Sequence, residues 1–268
     1  MQELKSKFLK EKPKEPLPLN LSVSKVKTFK DCAAKFHYLY IEKLPRKEWD
    51  FHVFGKFLHE VLENFHKHRI EGSKDLDNVL MTNVYKASYE NWKVKLTKDQ
   101  TAEAHAILKK YLKILAKESP NVISVEKEFY IDIDGKVLLN GYIDRVQIDK
   151  DNVLHVSDYK TSKDKSGHKK DHFQLMTYAF VMCLEDPSIE KIRTSYIMLR
   201  HNFEYIIKEY TREEVMTMED VFLKHYEQIL NEKLYRTKTS PLCKYCDALD
   251  FCNDGKNKVG VKYGATDW

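Results

Sequence analysis

Two short segments constrain this chain more than any other part of it: Gly141-Tyr142-Ile143-Asp144-Arg145-Val146 and His155-Val156-Ser157-Asp158-Tyr159-Lys160-Thr161. Both alternate polar and apolar residues, the period of a β-strand. Lys150-Asp151-Asn152 between them has turn chemistry. A hairpin turning about Asp151 sets Asp144 opposite Asp158, Val146 opposite Val156 and Ile148 opposite Leu154. One face of the ribbon is then apolar and ends in two carboxylates, with Lys160 two residues beyond. The other face carries Arg145, Gln147, His155 and Ser157. Like charges directly opposite on paired strands are destabilising. Carboxylates sharing a face with core aliphatics neutralise or find a cation. Lys160 supplies one positive charge and a divalent ion would supply two; oxygen ligands suit magnesium or manganese. The plainer alternative is a solvated hairpin end with an ordinary Asp–Lys pair.

The chain has 268 residues, enough for one full core; 42% are hydrophobic and 32% charged, as in a soluble globular protein. A net charge of +5 hints mildly at an anionic partner. No apolar run approaches a membrane span. The N-terminal Met-Gln-Glu-Leu-Lys-Ser-Lys has no secretory apolar region, so no membrane association and a cytoplasmic location are expected. Five cysteines in such a chain argue against a disulfide framework.

Residues 1–19 hold several lysines and three prolines without periodicity and read as a flexible basic arm; residues 20–268 read as one domain. Ser22 or Ser24 can cap a short helix toward Cys32. Residues 54–68 show a helical stripe of Phe54, Phe57, Leu58, Val61, Leu62 and Phe65, while Gly55, His59 and Glu63, four apart, share another face. The aromatics at 36–50 read as packing. Residues 74–118 read as a two-helix insertion or cap, stopped by Pro120. Strand patterns begin near Ile123, with a tight-turn signal at Asp134-Gly135. The lysine-rich run 163–170 is a solvated loop or a polyanion contact. A helix over 171–184 puts Gln174 and Tyr178 on one polar edge. Strands at 192–199 and 203–210 follow, then a long helix capped by Thr211. The expected fold class is α/β (α+β): a mixed central sheet flanked by helices.

The tail differs in kind. Cys243, Cys246 and Cys252 give C-x2-C-x5-C with no local fourth ligand. Cys183 sits on an apolar helix side and is better read as core. Cys32, in a polar context, can supply a fourth thiolate for zinc or a [4Fe–4S] cluster and so tie residue 32 to the segment 240–253.

In order, the chain shows Gly55-x3-His59-x3-Glu63, Gly-Tyr-Ile-Asp144-Arg, Asp158-Tyr-Lys160-Thr and Gln174-Leu-Met-Thr-Tyr178-Ala, bracketed by one and three cysteines. Together these resemble the PD-(D/E)XK nuclease superfamily, in its RecB-type branch with an iron–sulfur cluster, which includes the CRISPR-associated RecB-like exonucleases and the AddB nuclease domain. The resemblance runs from about residue 22 to residue 252. Isoleucine precedes the first acidic residue where the superfamily name has proline. The resemblance implies a restriction-endonuclease-like core and a Mg2+ or Mn2+ ion held by His59, Asp144, Asp158 and the Tyr159 carbonyl. It implies that Lys160 orients or deprotonates water and steadies developing charge. Gln174 and Tyr178 would line the site, and Cys32, Cys243, Cys246 and Cys252 would hold the cluster. Glu63 is left in a supporting position.

The function expected is a metal-dependent DNA exonuclease acting on single strands or ends, in repair, recombination or CRISPR and phage DNA processing. The competing readings are a structure-specific endonuclease and a non-catalytic DNA-binding module with a structural cluster or zinc site. No G-x4-G-K-[ST] stretch supplies an ATP motor, and nothing in the sequence specifies a helicase partner.

Overall fold

A computed structural model describes residues 4–260; the last eight residues of the expected domain and the first three of the expected arm lie outside them. In chain order the elements are β1 (Ser6–Leu9), β2 (Leu19–Leu21), α1 (Val23–Asp31), α2 (Ala33–Phe36), α3 (Asp50–Ile70), α4 (Asp77–Trp92), α5 (Lys98–Glu118), β3 (Asn121–Ile133), β4 (Val137–Ile148), β5 (Leu154–Lys160), α6 (Ser166–Lys170), α7 (Phe173–Glu185), β6 (Lys191–Met198), β7 (Glu204–Thr211), α8 (Arg212–Met216), α9 (Met218–Asn231) and α10 (Asn253–Val259). A π-turn, His37–Ile41, continues α2. Short 3-10 turns join β6 to β7 and shape the cysteine tail.

The sheet order is β1-β3-β4-β5-β6-β7, with β2 beside β4. Neighbours on the main path are antiparallel except β5 and β6, which are parallel. A parallel pair needs a crossover, and the α6–α7 segment supplies it. That crossover carries Gln174 and Tyr178 back over β5. The hairpin register is the one counted from Asp151: Arg145 pairs with Ser157, Val146 with Val156 and Ile148 with Leu154. The paired positions end there, so Asp144 and Asp158 stand one step past the ladder.

Helices cover both faces of the sheet. On one, Ile143, Val146 and Val156 pack with Ala179, Phe180 and Cys183 of α7 and with Met218 and Phe222 of α9. On the other, Tyr159, Ile197 and Leu199 meet Phe54, Leu58 and Leu62 of α3, Leu80 of α4, and Leu108 and Tyr111 of α5. Residues 74–118, expected as an insertion or cap, thus build the second core layer with α3. Polar links fasten it: Arg200 donates to Glu103 at 2.7 and 2.8 Å, and Lys110 to Asn202 at 2.9 Å.

The arm requires a correction. Ser6–Leu9 pairs with β3, Ser6 opposite Ile133 and Leu9 opposite Tyr130. Ser6 is buried and Phe8 packs against the core, a period-two pattern too short to stand out among lysines. The Glu219 carboxylate accepts the Lys5 and Ser6 amides at 2.9 and 2.6 Å.

The polar face of the hairpin is also buried: Arg145 is 0% exposed. Burial of polar groups is tolerable only when they bond one another, and here they form a chain. Arg145 donates to the Tyr111 hydroxyl at 3.3 Å and to Gln147. Gln147 donates to Asp149, which pairs with His155 at 2.9 Å and Arg193 at 2.6 Å. His155 Nε2 lies 2.8 Å from Ser195 Oγ. Burial drives the His155 pKa down to about 4, so the ring is neutral at ordinary pH.

Candidate active site

The site forms where α3 crosses the ends of β4 and β5. The Asp50–Ile70 helix is held by Phe54, Phe57, Leu58, Val61, Leu62 and Phe65, all buried, which turns Gly55, His59 and Glu63 toward the strand ends. Gly55 lets the helix approach the segment after β5, since a Cβ there would sit 3.2 Å from Thr161 Oγ1.

His59 Nδ1 lies 3.4 Å from Asp144 Oδ2, and its Nε2 lies 3.1 Å from the Tyr159 carbonyl oxygen. A neutral imidazole donates from one nitrogen only. Burial lowers the His59 pKa, with the nearby Asp158 charge acting in the opposite sense, so the neutral ring is favoured. With Asp144 ionised, as a carboxylate holding an ion must be, one lone pair of His59 faces another acceptor. A cation accepting from both resolves that conflict, and imidazole, carboxylate and carbonyl suit a divalent transition metal or magnesium.

Asp144 Oδ2 accepts the Tyr159 amide at 2.8 Å. Burial, then the charge of Asp158, pushes the Asp144 pKa well above the carboxylate range. Asp158 is buried and its carboxylate is turned to its own side. Lys160 Nζ pairs with its Oδ2 at 2.6 Å, and Gln174 Nε2 and the Tyr178 hydroxyl donate to Oδ1 at 2.6 and 3.4 Å. Gln174 Oε1 in turn accepts from Lys160 at 3.0 Å. Gln174 and Tyr178 come together as their four-residue spacing implies, but Tyr178 is 5% exposed: α7 is buried along most of its circumference, so its hydroxyl faces a carboxylate and not solvent.

Among the described residues, the group of ligand-type atoms close enough to share an ion is His59, Glu126 and Asp144, all within 4.8 Å of one another. Sequence reasoning brought His59, Asp144 and Asp158 together and missed Glu126. This residue lies on β3 between Val125, opposite Arg145, and Lys127, opposite Ile143, which places it across from Asp144. Its φ of +43° is unusual for a non-glycine residue inside a strand. Burial, then the charge of Asp144, raises the Glu126 pKa to about 7. The signal was available. Counting outward from Gly135, as from Asp151, sets residue 126 against residue 144.

Gly141 has a packing reason. A Cβ there would meet the Phe129 ring at 2.9 Å, and that ring stands edge-on to Tyr178, centroids 6.3 Å apart. Glycine on β4 thus lets Phe129 lie across the strand and back the tyrosine that bonds Asp158.

A cavity of about 1670 Å³ runs from His59, Glu63 and Glu126 to Cys32, Cys243, Cys246 and Cys252. Three of these sulfurs face backbone amides: Lys238 N–H to Cys32 at 3.5 Å, Ser240 N–H to Cys243 at 3.3 Å, and Gly255 N–H to Cys252 at 3.3 Å. Cys183 is fully buried in α7.

The profile of the PD-(D/E)XK nuclease superfamily matches residues 20–253. An ATP-dependent helicase/deoxyribonuclease subunit from Streptococcus pyogenes serotype M3 (strain MGAS315) is 28% identical over 160 residues, 56% of this chain and 15% of that protein. Its serotype M6 counterpart is 29% identical over the same length and the same shares. The chain thus matches only a small part of these relatives' length. A solved structure, "Crystal structure of SSO0001", covers 90% of this chain and 89% of its own, with a TM-score of 0.40 and 15% identity. No helix among the described residues is long and apolar enough to cross a membrane. With four motifs in order, a mixed seven-stranded sheet flanked by helices and a family match across most of its length, the chain belongs to the PD-(D/E)XK nuclease superfamily.

Proposed function

We propose that this nuclease is a divalent-metal-dependent deoxyribonuclease that degrades DNA as an exonuclease, from single-stranded ends. The observation that carries the metal is the pair of acceptors, Asp144 carboxylate and Tyr159 carbonyl, facing the two ring nitrogens of His59. His59, Asp144, Asp158 and the Tyr159 carbonyl would hold Mg2+ or Mn2+, with Glu126 close enough to join them. When bound, such an ion neutralises phosphate charge and acidifies water.

The chain's own residues do the rest. Lys160 keeps its ammonium beside Asp158, where it can steady charge on the phosphate or orient the attacking water. Gln174 spans Lys160 and Asp158 and fixes their separation. Tyr178 holds Asp158 from beneath, a positioning role that its burial supports.

Cys32, Cys243, Cys246 and Cys252 would hold a [4Fe–4S] cluster: all four border one cavity, and amide hydrogens are directed at three of the sulfurs, as cluster thiolates use. Zinc is the alternative occupant. Since the matched relatives are named as helicase/deoxyribonuclease subunits, DNA repair or recombination beside a partner helicase is the setting we favour over CRISPR or phage DNA processing.

Incubation of the purified chain with end-labelled single-stranded DNA and Mn2+ tests the reading. Progressive loss of label, absent in Asp158→Ala and absent on closed circular single strands, is the expected result. Cleavage of circles would make it an endonuclease. No cleavage by the parent, with DNA binding that needs no metal, would leave a binding module.

A further inference from the structure

The rim of the cavity carries an aromatic group that the hydrolytic site does not use. Phe51 lies in the first turn of α3, and Phe51, Gly55, His59 and Glu63 are each four residues apart. They form one stripe along the helix, and all four border the same cavity. Eight residues of helix set Phe51 about 12 Å from His59 along the axis.

Phe51 does not stand alone. Trp49 stacks on it, centroids 6.0 Å apart and planes 15° apart. Tyr245, from the cysteine tail, stands edge-on to both, at 5.9 Å from Trp49 and 6.1 Å from Phe51. Despite these contacts Phe51 is 43% exposed and Tyr245 48% exposed. Core packing does not explain rings left this open. Two ammonium groups flank them: Lys47 lies 4.5 Å from the Trp49 ring and Lys244 4.9 Å from the Tyr245 ring. Both lysines are exposed. Among the described residues neither has a carboxylate in ion-pair contact, unlike Lys35 with Asp247 and Lys56 with Glu48. Asp50, the nearest carboxylate in sequence to Phe51, sits in the first turn of α3, where the helix dipole accounts for it.

Two exposed rings, Phe51 and Tyr245, backed by a half-buried Trp49 and beside cations without acidic partners, are what a single strand requires: rings take bases, ammoniums take phosphates. A duplex hides its base faces and cannot use them. We propose that Phe51 and Tyr245, held in place by the Trp49 ring behind them, form a stacking platform that takes an unpaired base of the DNA strand held at the hydrolytic site. This rests on the reading of that site as a nuclease for single-stranded ends, and it names where the strand is gripped. Because Tyr245 lies between Cys243 and Cys246, the cysteine segment contributes directly to the grip.

The test is binding of an end-labelled oligothymidylate of about ten nucleotides to the full chain, with Ca2+ replacing the catalytic ion so that the probe survives. Phe51→Ala and Tyr245→Ala are each expected to weaken binding roughly ten-fold. Phe51→Tyr, which keeps a ring, restores it, and Phe51→Leu, which keeps apolar bulk, does not. Binding of a blunt duplex stays unchanged, and so does thermal stabilisation by Mn2+. In cleavage assays the loss falls on KM. Alanine variants that bind the oligonucleotide as the parent does, or that lose duplex binding equally, overturn the platform. If the parent itself binds no oligonucleotide, the single-strand reading of the site falls too; if the parent binds and the variants are indifferent, the platform alone falls.

Discussion

The amide of Tyr159 donates to the carboxylate of Asp144 at 2.8 Å, while the carbonyl of the same residue faces His59 Nε2 at 3.1 Å. One peptide segment therefore orients an acid and supplies an oxygen beside it. The strand end after Asp158 serves the site through backbone as well as side chain, and the buried Tyr159 ring stands edge-on to His59, centroids 5.8 Å apart.

Asp144→Asn should abolish cleavage and Mn2+ stabilisation without loosening the metal-free fold. The amide oxygen still accepts from Tyr159, and the amide replaces a carboxyl whose charged form burial and Asp158 already disfavour. At an ion concentration a hundred times its dissociation constant, the parent gains about 2.7 kcal/mol of unfolding free energy. Calorimetry with and without Mn2+ reads this. A variant that keeps the gain would remove Asp144 from the ligand set.

The acidic cluster makes the metal-free protein pH-sensitive. Glu126 titrates near 7 in the folded chain against an ordinary value of 4.5, so between these values the folded state holds more protons than the unfolded. Its stabilising effect is full below pH 4.5 and is lost as pH rises through about 7. His59, whose pKa is lowered, acts oppositely and weakens the fold as pH falls below its ordinary value of 6.5. Glu126→Gln should shrink the decline on the alkaline side, leaving the part that the raised Asp144 contributes in the same sense, and leave the histidine limb. Denaturant midpoints across this range, in chelator, check it; an unchanged profile in Glu126→Gln refutes the assignment. Mn2+ affinity of the parent should rise with pH over the same interval.

Much of this was readable in advance because strand periodicity and hairpin counting are local. The Asp151 turn fixed the β4–β5 register, and the Gly55-His59-Glu63 spacing fixed the helix face. What escaped was non-local. Ser6–Leu9 is too short to show a period, and only its partner β3 reveals it. The burial of Arg145 and His155 depends on α3 and α5 covering the second face, which no alternation in β4 or β5 announces. Glu126 was missed because the Asp134-Gly135 turn was recognised as a turn but its ladder was not counted.

The cysteine segment should be a staple as well as a cofactor site. Cys32→Ser is expected to bleach the visible absorption of anaerobically purified protein and to lower its melting temperature; Cys183→Ser should leave the colour intact. In the chain-entropy model, cross-linking residues roughly 200 apart is worth about 5 kcal/mol, an upper figure for a multi-thiolate cluster. Colourless parent protein containing zinc would replace iron in the same site. Iron retained in Cys32→Ser would break the link between the N-terminal helix and the tail.

Gly141 offers the sharpest separation of fold from chemistry. Phe129 sits directly opposite it in the β3–β4 ladder, and any Cβ at position 141 meets the ring at 2.9 Å. Overpacking of this kind costs about 1–3 kcal/mol, and the ring cannot yield without pressing on Tyr178. Gly141→Ala should therefore lower stability by that amount and also reduce kcat, through the Tyr178 hydroxyl that bonds Asp158. Phe129→Leu in the same background relieves the clash. If the ring transmits the effect, the double variant recovers both stability and kcat; if stability returns and kcat does not, Gly141 acts on Asp144 through the strand itself. Urea denaturation and single-turnover cleavage on the parent and both variants decide between these routes.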